Sequence, residues 1–341
     1  MGSQPGSGKN ASLTIKDVAK ALNVSTATVS RAISGKGRIG EETVRRVQEY
    51  IQEHNYVPNA MAQGLADQKT YNIGVIVPEM DAIDSHAFFR SCVAGVSREL
   101  SDTLYDILTI IDDDGSRGKL ARALERGKLD GAIVSRAHVG GMTTSRLRQA
   151  GVPFVLVGSS PDKSICQVDH DHKTACAELT RALLTGGREL ALLGDDLRLY
   201  VTQDRRQGFL TAHQEMGIPV REDRLYFELN SPERVEAALD AALSSGANCL
   251  VCIDDRICGV VLALLHHREL RIPQDVQVAS FYDSFMLERY TPAITALHFD
   301  AQKLGSVACR MLLDQLEGRE VGAAEIVGYE VALRDSTQTG R

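Results

Sequence analysis

From Ser25 to Gly35 the chain reads "STATVSRAISG". Thr26, Ala27 and Ser30 are small, and Arg31 follows Ala27 by one helical turn. With Val29, Ala32 and Ile33 turned inward, Thr26, Ala27, Ser30 and Arg31 share the outward face of a helix. Small side chains at the leading end let a backbone come close to base edges and phosphates in a DNA major groove. Hydroxyls bond to phosphates or bases, an alanine methyl touches thymine, and an arginine pairs bidentately with guanine. This is the chemistry of recognition, not of bond making.

A helix that reads a groove needs others to hold it. The first is predicted from about Ile15 to Leu22, with Thr14 as N-cap and Asp17 three residues on, a capping-box variant. Ile15, Val18, Ala19 and Leu22 fall on one face of it. Asn23 makes the turn, and Ser25 caps the reading helix, which runs to about Ile33. A third amphipathic helix is expected over roughly 40–54, with Val44, Val47 and Ile51 inward. "NYVPNAMAQGLA" comes next. Pro58 breaks the chain, and Asn59 can cap a short helix in which Ala60, Met61, Ala62, Leu65 and Ala66 are weakly apolar. Such a helix is too short to be stable alone, and Gly64 weakens it by about 1 kcal/mol relative to Ala.

Charge divides the chain in the same place. Residues 1–70 hold nine Lys/Arg against six Asp/Glu, a net of +3, so the remaining 29 and 39 leave −10 within the total of −7. A basic head on an acidic body suits a head that meets polyanions. Residues 1–12 read as a flexible tail. With 43% hydrophobic and 24% charged residues the 341-residue chain has the composition of a globular protein of two or three domains. No run of about 18 apolar residues suggests a membrane span, and the polar N-terminus is not an export signal, so a cytoplasmic protein with reduced thiols is expected. Cys249 and Cys252 form a CxxC, but "NCLVCID" reads as a buried strand, and a zinc site would need about four ligands. No metal site or cofactor is expected.

From Asn72 onward short apolar runs alternate with helical stretches. "NIGVIVP", "DILTIID", "DGAIVS" and "PFVLVG" lack period-two alternation, as in strands buried on both faces. A second series follows with "ELALLG", "CLVCID" and "VQVASF". Two βα halves imply two doubly wound parallel-sheet subdomains with a cleft between them. Ligands in such folds lie at the carboxyl ends of strands. That selects Glu79 to Asp84, with Asp81 and Asp84 among them, then Ser135 and Arg136, Gly158 and Ser159, Asp254 and Asp255, and Tyr282 and Asp283.

With these motifs assembled, the chain resembles the lactose-repressor/galactose-repressor family of bacterial transcription regulators. "IKDVAKALNVSTATVSRAISG", "NYVPNAMAQGLA" and "IGVIVP" occur in the family's order and spacing, and the head looks most like the catabolite-control branch. The resemblance implies that Thr26, Ala27 and Arg31 read bases. It implies that Thr14, Ser25, Ser30 and Asn59 hold phosphates, and that residues 59–67 form a hinge helix pairing in the minor groove, with Ala62 on it and Leu65 as the wedge. Arg205 in "RRQGF" matches an Arg-x-x-Gly-aromatic motif whose arginine reaches the effector, and Phe299 in "LHFD" matches a cleft crossover where an aromatic stacks on a ring. Asp254 stands where the family often has Asn, Tyr282 where many sugar binders carry Asp, and Gly158 where some galactoside binders are acidic. The carboxylate fork for sugar hydroxyls is therefore only partly present.

The expected organisation is a tail (1–12), a helix–turn–helix headpiece (13–58), a hinge (59–70) and a periplasmic-binding-protein-like body (71–335). Within the body the first subdomain takes about 71–167 plus 299–328, and the second about 168–298 plus 329–335. The expected function is a DNA-binding repressor on a palindromic operator, controlled by a small molecule, a sugar or sugar derivative, and not an enzyme. Two-fold symmetry in the site asks for a homodimer. The chain stops soon after "YEVALRDS", without the leucine-rich tail of tetrameric relatives. A phosphocarrier co-repressor is a further partner that the branch implies. A solute-binding protein for transport would share the body but would need an export signal and no headpiece.

Overall fold

A computed structural model describes residues 13–35, 38–54, 56, 64, 67–78, 86–112, 118–136, 138 and 140–338. The chain divides into two compact units, Met1–Thr70 and Tyr71–Arg341.

In the first unit α1 (Ile15–Leu22), α2 (Thr26–Ser34) and α3 (Glu41–Glu53) enclose a small core of Val18, Ala19, Val29, Ala32, Val47 and Tyr56. Helices of eight or nine residues are marginal by themselves, so the caps and this shared core hold them. Thr14 and Asp17 close a reciprocal capping box at α1: the Thr14 N–H donates to Asp17 Oδ2 at 2.9 Å and the Asp17 N–H to Thr14 Oγ1 at 3.4 Å. Asn23, left-handed at φ 55°, ends α1 and turns the chain sharply into α2. Ser25 Oγ then accepts from the Thr28 N–H at 3.0 Å to start α2.

The second unit holds two six-stranded sheets. In the first, β1 (Asn72–Pro78), β2 (Asp106–Asp112), β3 (Gly131–Val134), β4 (Phe154–Val157), β5 (Gln167–His170) and β11 (Ala324–Val327) lie in the order 11-5-4-3-1-2, all parallel. In the second, β6 (Leu190–Leu193), β7 (Leu225–Tyr226), β8 (Cys249–Cys252), β9 (Gln277–Ser280), β10 (Thr295–Phe299) and β12 (Tyr329–Ala332) lie in the order 12-10-9-8-6-7. Only β12 there runs antiparallel, to β10, while the other pairs are parallel. The continuous apolar runs of the sequence are explained by burial: every residue of β3, β6 and β8 is buried, Cys249 and Cys252 included.

Helices α4 (His86–Leu100), α5 (Lys119–Glu125), α6 (Thr143–Gln149), α7 (His172–Thr185), α8 (Tyr200–Glu215), α9 (Pro232–Ser244), α10 (Asp255–His267), α11 (Phe285–Arg289) and α12 (Ala301–Leu316) connect these strands. Among the described residues no helix is long and apolar enough to cross a membrane. α4 and α12 pack so closely that a Cβ on Gly95 would collide with the Gln302 carbonyl, and one on Gly305 with the Cys92 carbonyl. That contact fastens the returning α12 to the first subdomain.

The chain passes between the subdomains three times. The first crossover was expected near Val168; β5 pairs with β4 and β11 in the first sheet, so the passage falls at Asp171, the N-cap of α7. Asp169 and His170, the polar residues that end β5, are both buried. The other passages fall at Asp300, before α12, and at Gly328, between β11 and β12.

Candidate functional site

On the first unit, Thr26, Ala27, Ser30 and Arg31 are all exposed, on the side of α2 away from Val29 and Ala32. The small residues come first and the long donor sits a turn later, so a groove can admit the helix by its N-terminal end. Thr14 and Ser25 are also exposed, but their hydroxyls serve the helix caps. Thr14 Oγ1 donates to Asp17 Oδ2 at 2.6 Å, and Ser25 Oγ lies 2.8 Å from Thr28 Oγ1. Asn59, Ala62 and Leu65 lie outside the described residues.

On the second unit a cavity of about 130 Å³ opens between the subdomains at the carboxyl ends of the strands. Ser135 and Arg136 reach it from the end of β3, Asp254 from the end of β8, Tyr282 from beyond β9, Phe299 from the end of β10 and Arg205 from α8. Their roles differ. Ser135 Oγ donates to the Ile76 carbonyl at 2.8 Å. Asp254 caps α10, accepting from the Ile257 N–H at 2.9 Å. The Arg136 guanidinium lies 5.4 Å from the Phe89 ring centre.

Arg205 is 8% exposed. Its Nη1 donates to the Ile253 carbonyl at 2.7 Å, and the guanidinium sits 5.6 Å from the Tyr282 ring and 5.9 Å from Phe299. Gly208 and Phe209, the third and fourth residues after it, explain the motif. A Cβ on Gly208 would press on the Lys173 carbonyl and come within 2.7 Å of Cys176 Cβ, so only glycine lets α8 seat on α7. Phe209, 1% exposed, then locks the helix in the core and fixes where Arg205 points.

Asp283 does not line the cavity. Arg334 grips both its oxygens, Nη1 to Oδ1 at 2.9 Å and Nη2 to Oδ2 at 2.6 Å, and the Ser284 N–H adds a third bond. A buried carboxylate so satisfied ties the C-terminal segment to β9 and has little left for a ligand. The expectation that it binds the effector is corrected here. Asp81 and Asp84 lie outside the described residues.

Several wall residues escaped the sequence reading. Phe88 and Phe89 come from the first turn of α4. Asp169, His170 and His172 come from the first passage between subdomains. Ser159 Oγ donates to Asp169 Oδ2 at 2.6 Å, the His170 N–H to Oδ1 at 2.8 Å, and His172 Nε2 faces Oδ1 at 3.2 Å. Burial pushes the Asp169 carboxyl up, but His172 and these hydrogen bonds outweigh it and hold it below its ordinary range. His170 Nδ1 donates to the carbonyls of Val327 (2.9 Å) and Gly328 (3.0 Å). Burial, reinforced by His172, lowers the His170 imidazole to about 4, so it is neutral at pH 7. Both imidazoles pack on Phe299, with ring centres at 4.8 and 4.6 Å. The signal was present in "VDHDH", two imidazoles alternating with carboxylates where the chain changes sheet.

Asp255 also lines the cavity, and burial followed by the field of Asp254 raises it to about 6. A carboxyl raised above its unfolded value favours folding when protonated and opposes it when ionised. Asp255→Asn is therefore expected to raise Tm at pH 8, by at most about 3 kcal/mol of stability. The gain should shrink as pH falls through 6 and vanish near the unfolded value of 3.8. Melting curves of both proteins from pH 4 to 8 check this, and a gain independent of pH would show that Asp255 is not raised.

The comparisons with known proteins follow the same division. Residues 14–59 match the family description "Bacterial regulatory proteins, lacI family", and residues 181–337 match "Periplasmic binding protein-like domain". Catabolite control protein A of Staphylococcus epidermidis is 27% identical over 334 residues, covering 96% of this chain and 99% of the relative. The probable HTH-type transcriptional repressor ExuR of Bacillus subtilis is 25% identical over 335 residues, covering 96% and 98%. Among solved structures, the lac repressor dimer bound to operator and the anti-inducer ONPF superposes with a TM-score of 0.78 at 20% identity, covering 96% of this chain and all of that one. The transcriptional regulator CelR–cellobiose complex superposes with a TM-score of 0.71 at 23% identity, covering 95% and 99%. These two likenesses establish the fold.

Proposed function

The chain belongs to the lacI family of bacterial regulatory proteins, and on that premise we propose that it is a cytoplasmic repressor that binds a palindromic operator as a homodimer and answers to a sugar or sugar derivative. The observation that carries this reading is the pairing, on one chain, of an exposed α2 face of Thr26, Ala27, Ser30 and Arg31 with an aromatic-walled cavity holding a buried arginine. The relatives are transcription regulators, and this protein is a regulator rather than an enzyme. A transport solute-binding protein would have no use for the headpiece.

The mechanism is linkage. Three chain passages join the two subdomains around the cavity, so a ligand touching both walls changes the free energy of their relative angle. In a dimer that angle decides whether two headpieces and their hinges, residues 59–70 with Asn59, Ala62 and Leu65, can engage one operator together. Thr26, Ala27 and Arg31 read its bases, and Thr14, Ser25 and Ser30 meet its phosphates. Coupling of this kind is reciprocal and typically about 1–3 kcal/mol. The cavity ligands are Arg205, Tyr282, Phe299, Ser135, Arg136 and Asp254. A phosphocarrier protein is the co-repressor to test, on the likeness to catabolite control protein A.

A thermal-shift screen against sugars, sugar phosphates, nucleosides and organic acids tests the reading. A ligand at about 100 times its Kd adds roughly 2.7 kcal/mol of stability. The shift is expected to disappear in Arg205→Ala. A hit that survives this substitution would place the effector elsewhere.

A further inference from the structure

His170, His172, Arg205 and Asp255 are 2%, 6%, 8% and 7% exposed, and all four line the cavity. Each carries one buried polar atom without a hydrogen-bond partner: His170 Nε2, His172 Nδ1, Arg205 Nε and Asp255 Oδ1. Buried polar atoms are ordinarily paired, so four at one cavity outline what a ligand must present.

The hydrogens on these atoms follow from their neighbours. Carbonyl oxygens only accept, so the bonds to Val327 and Gly328 place the His170 hydrogen on Nδ1 and leave a lone pair on Nε2. The Asp169 carboxylate 3.2 Å from His172 Nε2 places a hydrogen there. Arg205 spends Nη1 on Ile253 and keeps an N–H at Nε. His170 Nε2 and Asp255 Oδ1 are thus acceptors, and Arg205 Nε is a donor. The wall's formal charges lean the same way, with Asp169, Asp195, Asp254 and Asp255 against Arg136 and Arg205.

We propose that His170 determines specificity at this cavity: its free ring nitrogen accepts a hydrogen bond from a hydroxyl of an uncharged ligand, and with the carboxylate-rich wall it turns away sugar acids and sugar phosphates. The proposal rests on reading the cavity as the effector site. A hydroxyl can donate to a ring nitrogen and accept from the Arg205 N–H at once, and the sugar ring can lie against Phe299, which both histidines flank. A carboxylate or phosphate brings acceptors only, and would set its charge against lone pairs and like charges.

The test is calorimetric titration of the full-length protein with matched sets: glucose, glucuronate and glucose 6-phosphate; galactose, galacturonate and galactose 6-phosphate; and the neutral disaccharides cellobiose, maltose and lactose. A neutral sugar is expected to bind, and the acids and phosphates to fail. Wild-type discrimination is itself a readout that needs no variant to fold. His170→Phe keeps the ring shape without the acceptor and should weaken binding by about tenfold or more. His170→Gln restores an acceptor near the Nε2 position and should recover most of that loss. An acid or phosphate that binds more tightly than its neutral parent, or silence from every neutral sugar, would overturn the proposal. Binding lost in Arg205→Ala but equal to wild type in His170→Phe would sink only the histidine assignment. Binding untouched by Arg205→Ala would sink the cavity reading beneath it.

Discussion

Arg31→Ala is expected to remove most of the protein's preference for its operator over random DNA. Arg31 is exposed on α2, one turn beyond the exposed Ala27, on a helix whose leading residues are too small to hold the backbone away from a groove. A bidentate arginine–guanine pair discriminates by about 1–3 kcal/mol, so specific affinity should fall roughly 10- to 100-fold per half-site. Non-specific affinity comes from phosphate neutralisation and should fall much less. The operator is first selected from a random pool. Fluorescence anisotropy at one fixed salt concentration, on the selected palindrome and on a scrambled duplex, then gives both numbers. An equal loss on the two duplexes would make Arg31 a phosphate contact and move base reading elsewhere on the headpiece.

Phe285→Asp is expected to convert the dimer to a monomer and, with it, to cost about 100-fold or more in operator affinity. Phe285 is 76% exposed and its neighbour Met286 48% exposed. They border an open apolar groove with Gly259, Val260 and Ala263 of α10. Large apolar side chains left this open in a row mark a surface that meets another protein, and a two-fold operator supplies the reason for that protein to be a second copy. A monomer binds the two half-sites independently and loses the effective concentration of the second headpiece, which is worth about 100- to 10,000-fold. The substitution removes no core contact, so Tm of the isolated chain should hold. Sedimentation velocity with operator titrations reads both effects. A dimer that survives Phe285→Asp would move the interface to another exposed apolar side chain, such as Ile326 at 62% or Leu333 at 52% exposure.

The headpiece was legible because its determinants are local. A helix of eight residues is bounded by its caps, and Thr14, Asn23 and Ser25 carry their signals within three residues. The inward Val18, Ala19, Val29, Ala32 and Val47 follow from a period of 3.6. The body's strands were legible for the same reason, as apolar runs between helical stretches, and strand ends pointed to Ser135, Arg136, Asp254 and Tyr282 without any knowledge of their neighbours.

What adjacency in sequence could not say is which polar groups are already satisfied. Asp283 follows Tyr282 at a strand end and looked equally available, but its partner Arg334 is 51 residues away. Asp169 and His170 are polar residues at the end of β5, yet β11, more than 150 residues on, supplies the carbonyl that fixes the imidazole. Phe88 and Phe89 begin a helix whose apolar face, read alone, belongs to the core.

The sequence alone therefore determined the two-unit plan, the reading face of α2, the doubly wound body and the strand ends around which a ligand must lie, because periodicity, capping and chain direction act over a few residues. Only the tertiary structure decided which buried side chains keep a free hydrogen-bonding atom. That depends on partners brought together by the three passages between the sheets, and hydrogen-bond satisfaction is a property of neighbours in space.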